Sequence, residues 1–424
     1  MRSNYYAGLA GAWLAVTSGA AAQTPESLPL AVGGSQARIE WGQIVASPRD
    51  DWVNDLILLR NGNILGVGFT GREDSDPNAD WQAAATELTK QGMLISDRRY
   101  GEHGGTDAFW SMTEAADGRR VFAGLTTRIG PLGINGYVLV SGPDGMIVRE
   151  NGYGYAGYDR FTDVAPTDGG YIFVGHSQLP DQGALRRAYI VKTDFTGLPL
   201  WERIYGGPET WSALYVEPAG DGGFVISGGT DGGGDGDMFV LKIDAEGREL
   251  WRKRVGTPDW DEINHGIVVR PDGTIVLIGY TNPHGSDLHD WVAATLSPSG
   301  DLVRLERLGG PKDERATSAR LDDQGVIWMI GHSESTGQGG TDMLLSSIDA
   351  HGAFTGVATT VGGIQDDMGT AVLPLGRDGI LVAGYSRNLG RGGQDAFIAR
   401  LTVPAGKGHP ALRRTVIVAP KPAR

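Results

Sequence analysis

No cysteine occurs among the 424 residues. That excludes disulfides, thiolate metal sites, cysteine nucleophiles and a lipid carried on an N-terminal cysteine. Basic clusters are missing too: 37 Lys and Arg stand against 51 Asp and Glu, for a formal net charge of −14. Such a chain has little with which to neutralise a phosphate backbone or an anionic membrane surface, so nucleic acid is not an expected partner. No apolar run is long enough to span a bilayer, and the repeat stretch Trp201 to Leu250 holds no helical period of apolar residues. Three common catalytic signatures are also absent: the Gly-x-Ser-x-Gly elbow, the His-Glu-x-x-His pair and the phosphate loop.

At the start of the chain, Arg2 precedes an apolar stretch from Ala7 to Val16, and Ala20-Ala21-Ala22 stands before Gln23. A basic start, a short apolar core and a small-residue site predict a secretory signal peptide over 1–22. Export without cysteine suits a bacterial periplasmic or secreted protein. Residues 23–37 read as a loose lead-in, and the Gly-, Pro-, Lys- and Arg-containing tail, 404–424, is expected to fray.

What the chain has in abundance is glycine, 67 residues, placed at regular intervals. The stretch Trp201 to Leu250 shows the unit. Short β-branched and aromatic runs such as Phe224-Val225-Ile226 and Met238-Phe239-Val240-Leu241 lie between Gly/Asp turns, giving four strands per copy. The third run ends in Gly-x-Thr/Ser, which recurs at Gly68, Gly124, Gly175, Gly228, Gly279, Gly331 and Gly384, spaced by 56, 51, 53, 51, 52 and 53 residues. Seven four-stranded units with a period near fifty predict an all-β, seven-bladed β-propeller over 38–403, monomeric by default. Each Trp-bearing strand should be outermost in its blade. Ile39-Glu40-Trp41-Gly42-Gln43-Ile44 would then complete the last blade beside Ala396–Arg400 and remove the open sheet edge. The competing candidate for that place is Thr415-Val416-Ile417-Val418.

The motif W-x-x-x-Y-G-G, D-G-G-Y/F, G-x-T/S, D-x-x-x-x-K-x-D-x-x-G resembles bacterial secreted β-propeller repeats of the delta-60 and PQQ-like type. Tyr171, Lys192, Asp194, Gly197 and Trp201 carry it in the third copy, and Phe224, Lys242, Asp244, Gly247 and Trp251 in the fourth. The resemblance implies the fold; propellers of this kind host binding, assembly and enzymatic roles. Quinoprotein dehydrogenases share only the blade motif, and no cofactor constellation accompanies it here.

Because the copies repeat, a residue present in most of them reads as structural and a departure reads as functional. One acid recurs at Asp51, Asp107, Asp159, Asp261, Glu314 and Asp367, with Trp211 in its place in the fourth copy. A second set is Asp80, Asp237, Asp290, Asp342 and Asp395. Both sets are expected to cap their own loops. The departures are aromatic, basic and histidine-rich. Trp52, Trp110, Trp211 and Trp260 would stack on sugar rings or pack between blades. Arg160, Arg186 and Arg187 would hold a ligand carboxylate or sulfate, or pair with neighbouring acids. The fifth copy carries His265, His284 and His289 beside Asp261, offering a general base, with Asp261 or Tyr158 as acid. His176 and His332, at the x of Gly-x-Thr/Ser, read as aromatic filling. Asp231, Asp235 and Asp237 form an oxygen-rich loop that suits calcium, although their spacing misses a recognised calcium loop. Two readings of function stay open. One is an exported module binding a glycan, peptide or envelope partner; the other is a carbohydrate-active enzyme, a polysaccharide lyase or glycoside hydrolase.

Overall fold

The computed structural model describes residues 6–7, 28, 30–33, 37–45, 47, 49–71, 81–101, 105–131, 133–180, 183–231, 236–376, 379–387, 389, 393–403 and 411–417. Its strands form seven antiparallel sheets, and the fold is a seven-bladed β-propeller. Six blades use four successive strands, as in blade 1 with Asp51–Leu58, Ile64–Thr70, Gln82–Leu88 and Leu94–Tyr100. Blade 7 joins Asp367–Pro374, Ile380–Ser386 and Asp395–Thr402 to Arg38–Val45. The N-terminal strand therefore closes the last blade, with Glu40 placed 2.9 Å from Arg400 Nε.

Three segments outside the repeat add edge strands. Tyr6–Ala7 pairs with Asn151 and Gly152 in blade 2, and Ala31–Gly33 pairs with residues 360–362 in blade 6. Arg413–Ile417 pairs with 305–309 in blade 5, so the C-terminal candidate for closure lies on a different blade. Its anchor is Arg414, which donates to the fully buried Glu306 at 2.8 and 2.6 Å.

Contacts divide the chain into two compact units. One comprises Met1–Leu28, Trp41–Val216 and Ala383–Ala399; the other comprises Pro29–Glu40, Glu217–Val382 and Arg400–Arg424. Within each unit, alternate residues of neighbouring sheets interdigitate. Phe109, Phe122, Tyr137 and Leu65 do so in the first, and Trp291, Met329, Leu344 and Ile278 in the second. Each such fully buried side chain contributes about 1.5–3 kcal/mol. First strands such as Asp51–Leu58 are far more buried than fourth strands such as Leu94–Tyr100, although both are sheet edges, so the first strand is innermost.

The marker glycine has a steric cause. The first strand carries a bulge between Val53 and Asp55, Phe109 and Ser111, Phe161 and Asp163, Asn264 and Gly266, and Ala316 and Ser318. The bulge pushes a carbonyl toward the second strand. A Cβ at Gly68, Gly124, Gly175, Gly279 or Gly331 would lie 1.8–2.0 Å from that oxygen, so only glycine fits. The extra residue of the bulge ties one blade to the next. Asn54 donates to Phe109 O at 2.8 Å, Thr162 to Ala213 O at 3.2 Å and Thr317 to Gly369 O at 2.7 Å.

Candidate functional site

The recurrent acids are structural. Asp51, Asp159, Glu314 and Asp367 each accept a hydrogen bond from the backbone N–H four residues earlier, at Ser47, Tyr155, Gly310 and Gly363. They cap the loop that enters the innermost strand. In blade 5 the acid of this position is Glu262, not Asp261. Glu262 pairs with Thr281 as Asp51 pairs with Thr70, and it caps Thr257 five residues back because the loop is one residue longer. Burial and the nearby Asp237 push the Glu262 carboxyl up to about 7, and burial alone takes Asp159 up to about 6.

Chemistry collects instead at the strand end beside these caps. Five positions supply it in the blades where rings meet: the residue after the acid, the residue between Gly and Thr/Ser, the bulge residue, and the residues at the start of the first and of the third strand. Trp52, Trp110, Arg160, Arg186, His265 and His289 fall on these positions.

In the first unit they make an aromatic and cationic surface. Phe69 stacks nearly parallel on Trp52 (4.7 Å between centroids), Trp81 (4.6 Å) and Trp110 (5.8 Å), and Tyr385 meets Trp52 edge-on. The three tryptophans are half-buried. The Arg160 guanidinium lies 5.6 Å over Trp110, and that of the exposed Arg186 lies 5.7 Å over Tyr158. Tyr158 in turn stacks on His176, which is fully buried with neither ring nitrogen partnered among the described residues. Burial, together with the charges of Arg160 and Arg186, drives the His176 pKa well down and keeps the ring neutral. Burial likewise lowers Arg160.

In the second unit the same positions hold histidines. His265, the bulge residue of blade 5, stacks on Tyr280 at 5.1 Å, and Tyr280 meets His289 edge-on at 5.0 Å. His289 Nδ1 lies 2.6 Å from Asp313 Oδ1, and Arg315 forms an ion pair with the same carboxylate, its Nε 2.8 Å from Oδ2 and its Nη2 donating to Oδ1 at 3.5 Å. Arg315 lies 5.4 Å over Tyr280, and His332 Nε2 is 3.9 Å from Asp313. Burial would raise the Asp313 pKa, but the hydrogen bond from His289 and the charge of Arg315 outweigh it and hold the carboxyl ionised below its usual range. Burial pushes His265 and His332 down to about 4; Arg315 adds to this in both, while Asp313 opposes it at His332.

Several expected site residues are placed elsewhere. Trp211 is buried, because it packs into the loop at Gly206 and Gly207 rather than facing solvent. Trp260 is half-covered by the Arg307 guanidinium, 3.6 Å from its ring. Arg187 does not join Arg160 and Arg186 over the rings; it donates to Glu209 O at 2.6 Å and so braces the loop between Tyr205 and Thr210. His284 stands apart from His265 and His289, exposed and 3.5 Å from Asp261, which also accepts from Gly236 N at 2.9 Å. Tyr158 stacks on His176 in the first unit. Asp80 and Asp235 lie outside the described residues. Asp237 faces Arg254 Nε at 2.9 Å, so its charge is paired with a guanidinium. Among the described residues no group of three His, Asp or Glu has a metal-binding arrangement.

Asp313, Arg315, Tyr280, Trp81 and Phe69 complete the two groups and were not singled out from sequence. Their signal was available: Phe69, Tyr280, His176 and His332 all occupy the x of the marker triplet, and Arg160 and Arg315 both follow the recurrent acid.

No protein-family model matches the chain, and no curated protein matches it. Solved structures do. A protein of unknown function from Dyadobacter fermentans aligns at 15% identity and a TM-score of 0.51, over 87% of this chain and 99% of that one. The polysaccharide lyase Uly1 aligns at 12% identity and 0.49, over 87% and 94%. Sqt1 of Chaetomium thermophilum, bound to the N-terminus of ribosomal protein L10, aligns at 10% and 0.47, over 84% and 97%. At such identities the likeness is one of fold alone.

Proposed function

We propose that this is an exported propeller that binds an acidic glycan at the strand end where the departures collect. The observation that carries the reading is the stack of Trp52, Phe69, Trp81 and Trp110, capped by Arg160. Half-buried tryptophans offer flat apolar faces to the C–H faces of sugar rings, and neighbouring guanidinium groups offer paired donors to carboxylate or sulfate. The Arg2-to-Ala22 leader pattern supports export.

Calorimetry of the chain from Gln23 onward against neutral and acidic polysaccharides tests this. An acidic polymer should bind, and Trp110→Ala should weaken it about tenfold, on the scale of a lost stacking and cation–π partner. Affinity unchanged in a Trp52→Ala, Trp110→Ala double variant would overturn the reading. Capture of an envelope protein with no glycan affinity would replace it.

A further inference from the structure

We propose that His289, Asp313, Arg315 and Tyr280 form a proton-transfer site that cleaves a uronate-containing polysaccharide by β-elimination. The substrate class rests on the acidic-glycan reading above; the residues are separate from those that carry that reading.

Geometry assigns the roles. With Asp313 ionised, a neutral His289 ring meets it through Nδ1–H as donor, and in that tautomer Nε2 carries the lone pair. Nε2 has no partner among the described residues, and the side chain keeps 12% of its surface exposed. Asp313 is a positioning residue: it sets the tautomer and steadies the imidazolium once formed. It also holds Arg315 by an ion pair, with Nη2 donating to Oδ1 at 3.5 Å, so Nη1 of this 39% exposed side chain remains for a substrate carboxylate. The Tyr280 hydroxyl, free of partners among the described residues, lies in the same group as a proton donor.

What this set can do follows from what its members are. Among the described residues in direct contact with His289 and Tyr280, the one carboxylate is Asp313, and it is committed to His289 and Arg315. No second carboxyl makes such a contact there, as hydrolysis by a carboxyl pair would need. A base beside a forked cation suits removal of a hydrogen from the carbon that bears a carboxylate. Arg315 stabilises the charge that develops on the carboxylate oxygens. The C–H bond breaks with its proton passing to His289 Nε2. The electron pair forms the carbon–carbon double bond, and the glycosidic C–O bond on the adjacent carbon breaks. The leaving oxygen takes the Tyr280 hydroxyl proton. Exchange with water restores both side chains, and no other reactant is consumed.

The test incubates the chain from Gln23 onward with polyuronates and follows both the ultraviolet absorbance of the conjugated double bond and new reducing ends. Both signals should rise together. His289→Ala should lower the rate by about 10²–10⁴-fold, the usual scale of general base catalysis, and added imidazole should restore part of it. Asp313→Asn should lower kcat and displace its pH profile, while His351→Ala, exposed and distant in sequence, should leave both unchanged. Reducing ends without absorbance would replace elimination by hydrolysis. A polymer that binds, measured by calorimetry, yet gives neither signal would overturn catalysis and leave binding intact. No binding to any polyuronate would instead remove the reading beneath it. Circular dichroism of each variant separates loss of chemistry from loss of fold, and an inactive, folded His289→Ala that imidazole does not rescue would overturn the role of His289.

Discussion

His265 and Trp110 occupy the same place in their respective blades. Each is the extra residue of the first-strand bulge, where Asn54, Thr162 and Thr317 reach across to a carbonyl of the next blade. Both blades give up a polar tie and present a ring instead. The cost of the tie can be measured. Thr317→Val should lower stability by about 1 kcal/mol, the net worth of one such hydrogen bond. His265→Thr should leave the thermal midpoint unchanged or raise it. A marked destabilisation by His265→Thr would show that the ring is needed for packing.

Acid should loosen the second unit through His332. Its folded pKa is down at about 4, while an unfolded histidine titrates near 6.5. Between those values the unfolded chain binds the proton and the folded chain does not. Stability is therefore whole above pH 6.5 and falls as pH drops toward 4, by about 3 kcal/mol for a shift of this size. His332→Gln should flatten this limb in denaturant melts at pH 7 and pH 4.5. An equally steep acid limb in the variant would assign the loss elsewhere.

Asp342 behaves in the opposite sense. Burial and the neighbouring Asp367 raise its carboxyl to about 7, so the folded state holds a proton that the unfolded chain releases near 4. Its contribution is present below pH 4 and is lost as pH rises through 7. Asp342→Asn keeps an oxygen for the Gln338 N–H, now 2.8 Å from Oδ2, without the charge. The variant should melt higher than the parent at pH 8, by about 2–4 kcal/mol in stability, with the gap closing toward pH 5. A lower midpoint at pH 8 would refute the raised carboxyl.

Gly175→Ala should be costly although glycine here lies in a strand with ordinary φ. The added Cβ would stand 1.9 Å from Arg160 O. Relief needs a backbone shift, and overpacking of this kind costs about 1–3 kcal/mol. Gly169→Ala, with open space around it, is the control. Equal urea midpoints for the two would remove the steric account of the marker glycine.

The repeat, its seven copies, the closing N-terminal strand and the capping duty of Asp51, Asp159, Glu314, Asp367 and Asp342 were legible in the sequence. These rest on local chemistry: strand periodicity, turn residues and a glycine forced by a bulge recur with each copy. The register within a copy was legible only to within one residue, which is why Asp261 was aligned where Glu262 stands. The grouping of side chains was decided by tertiary structure. Arg315 reaches Tyr280 and Asp313 reaches His289 only because one blade packs on the next, and no spacing along the chain encodes that neighbourhood. Trp211 and Arg187 show the same limit from the other side. Their residue types suit a ligand surface, but the packing around them buries one ring and spends one guanidinium on the backbone of a neighbouring loop.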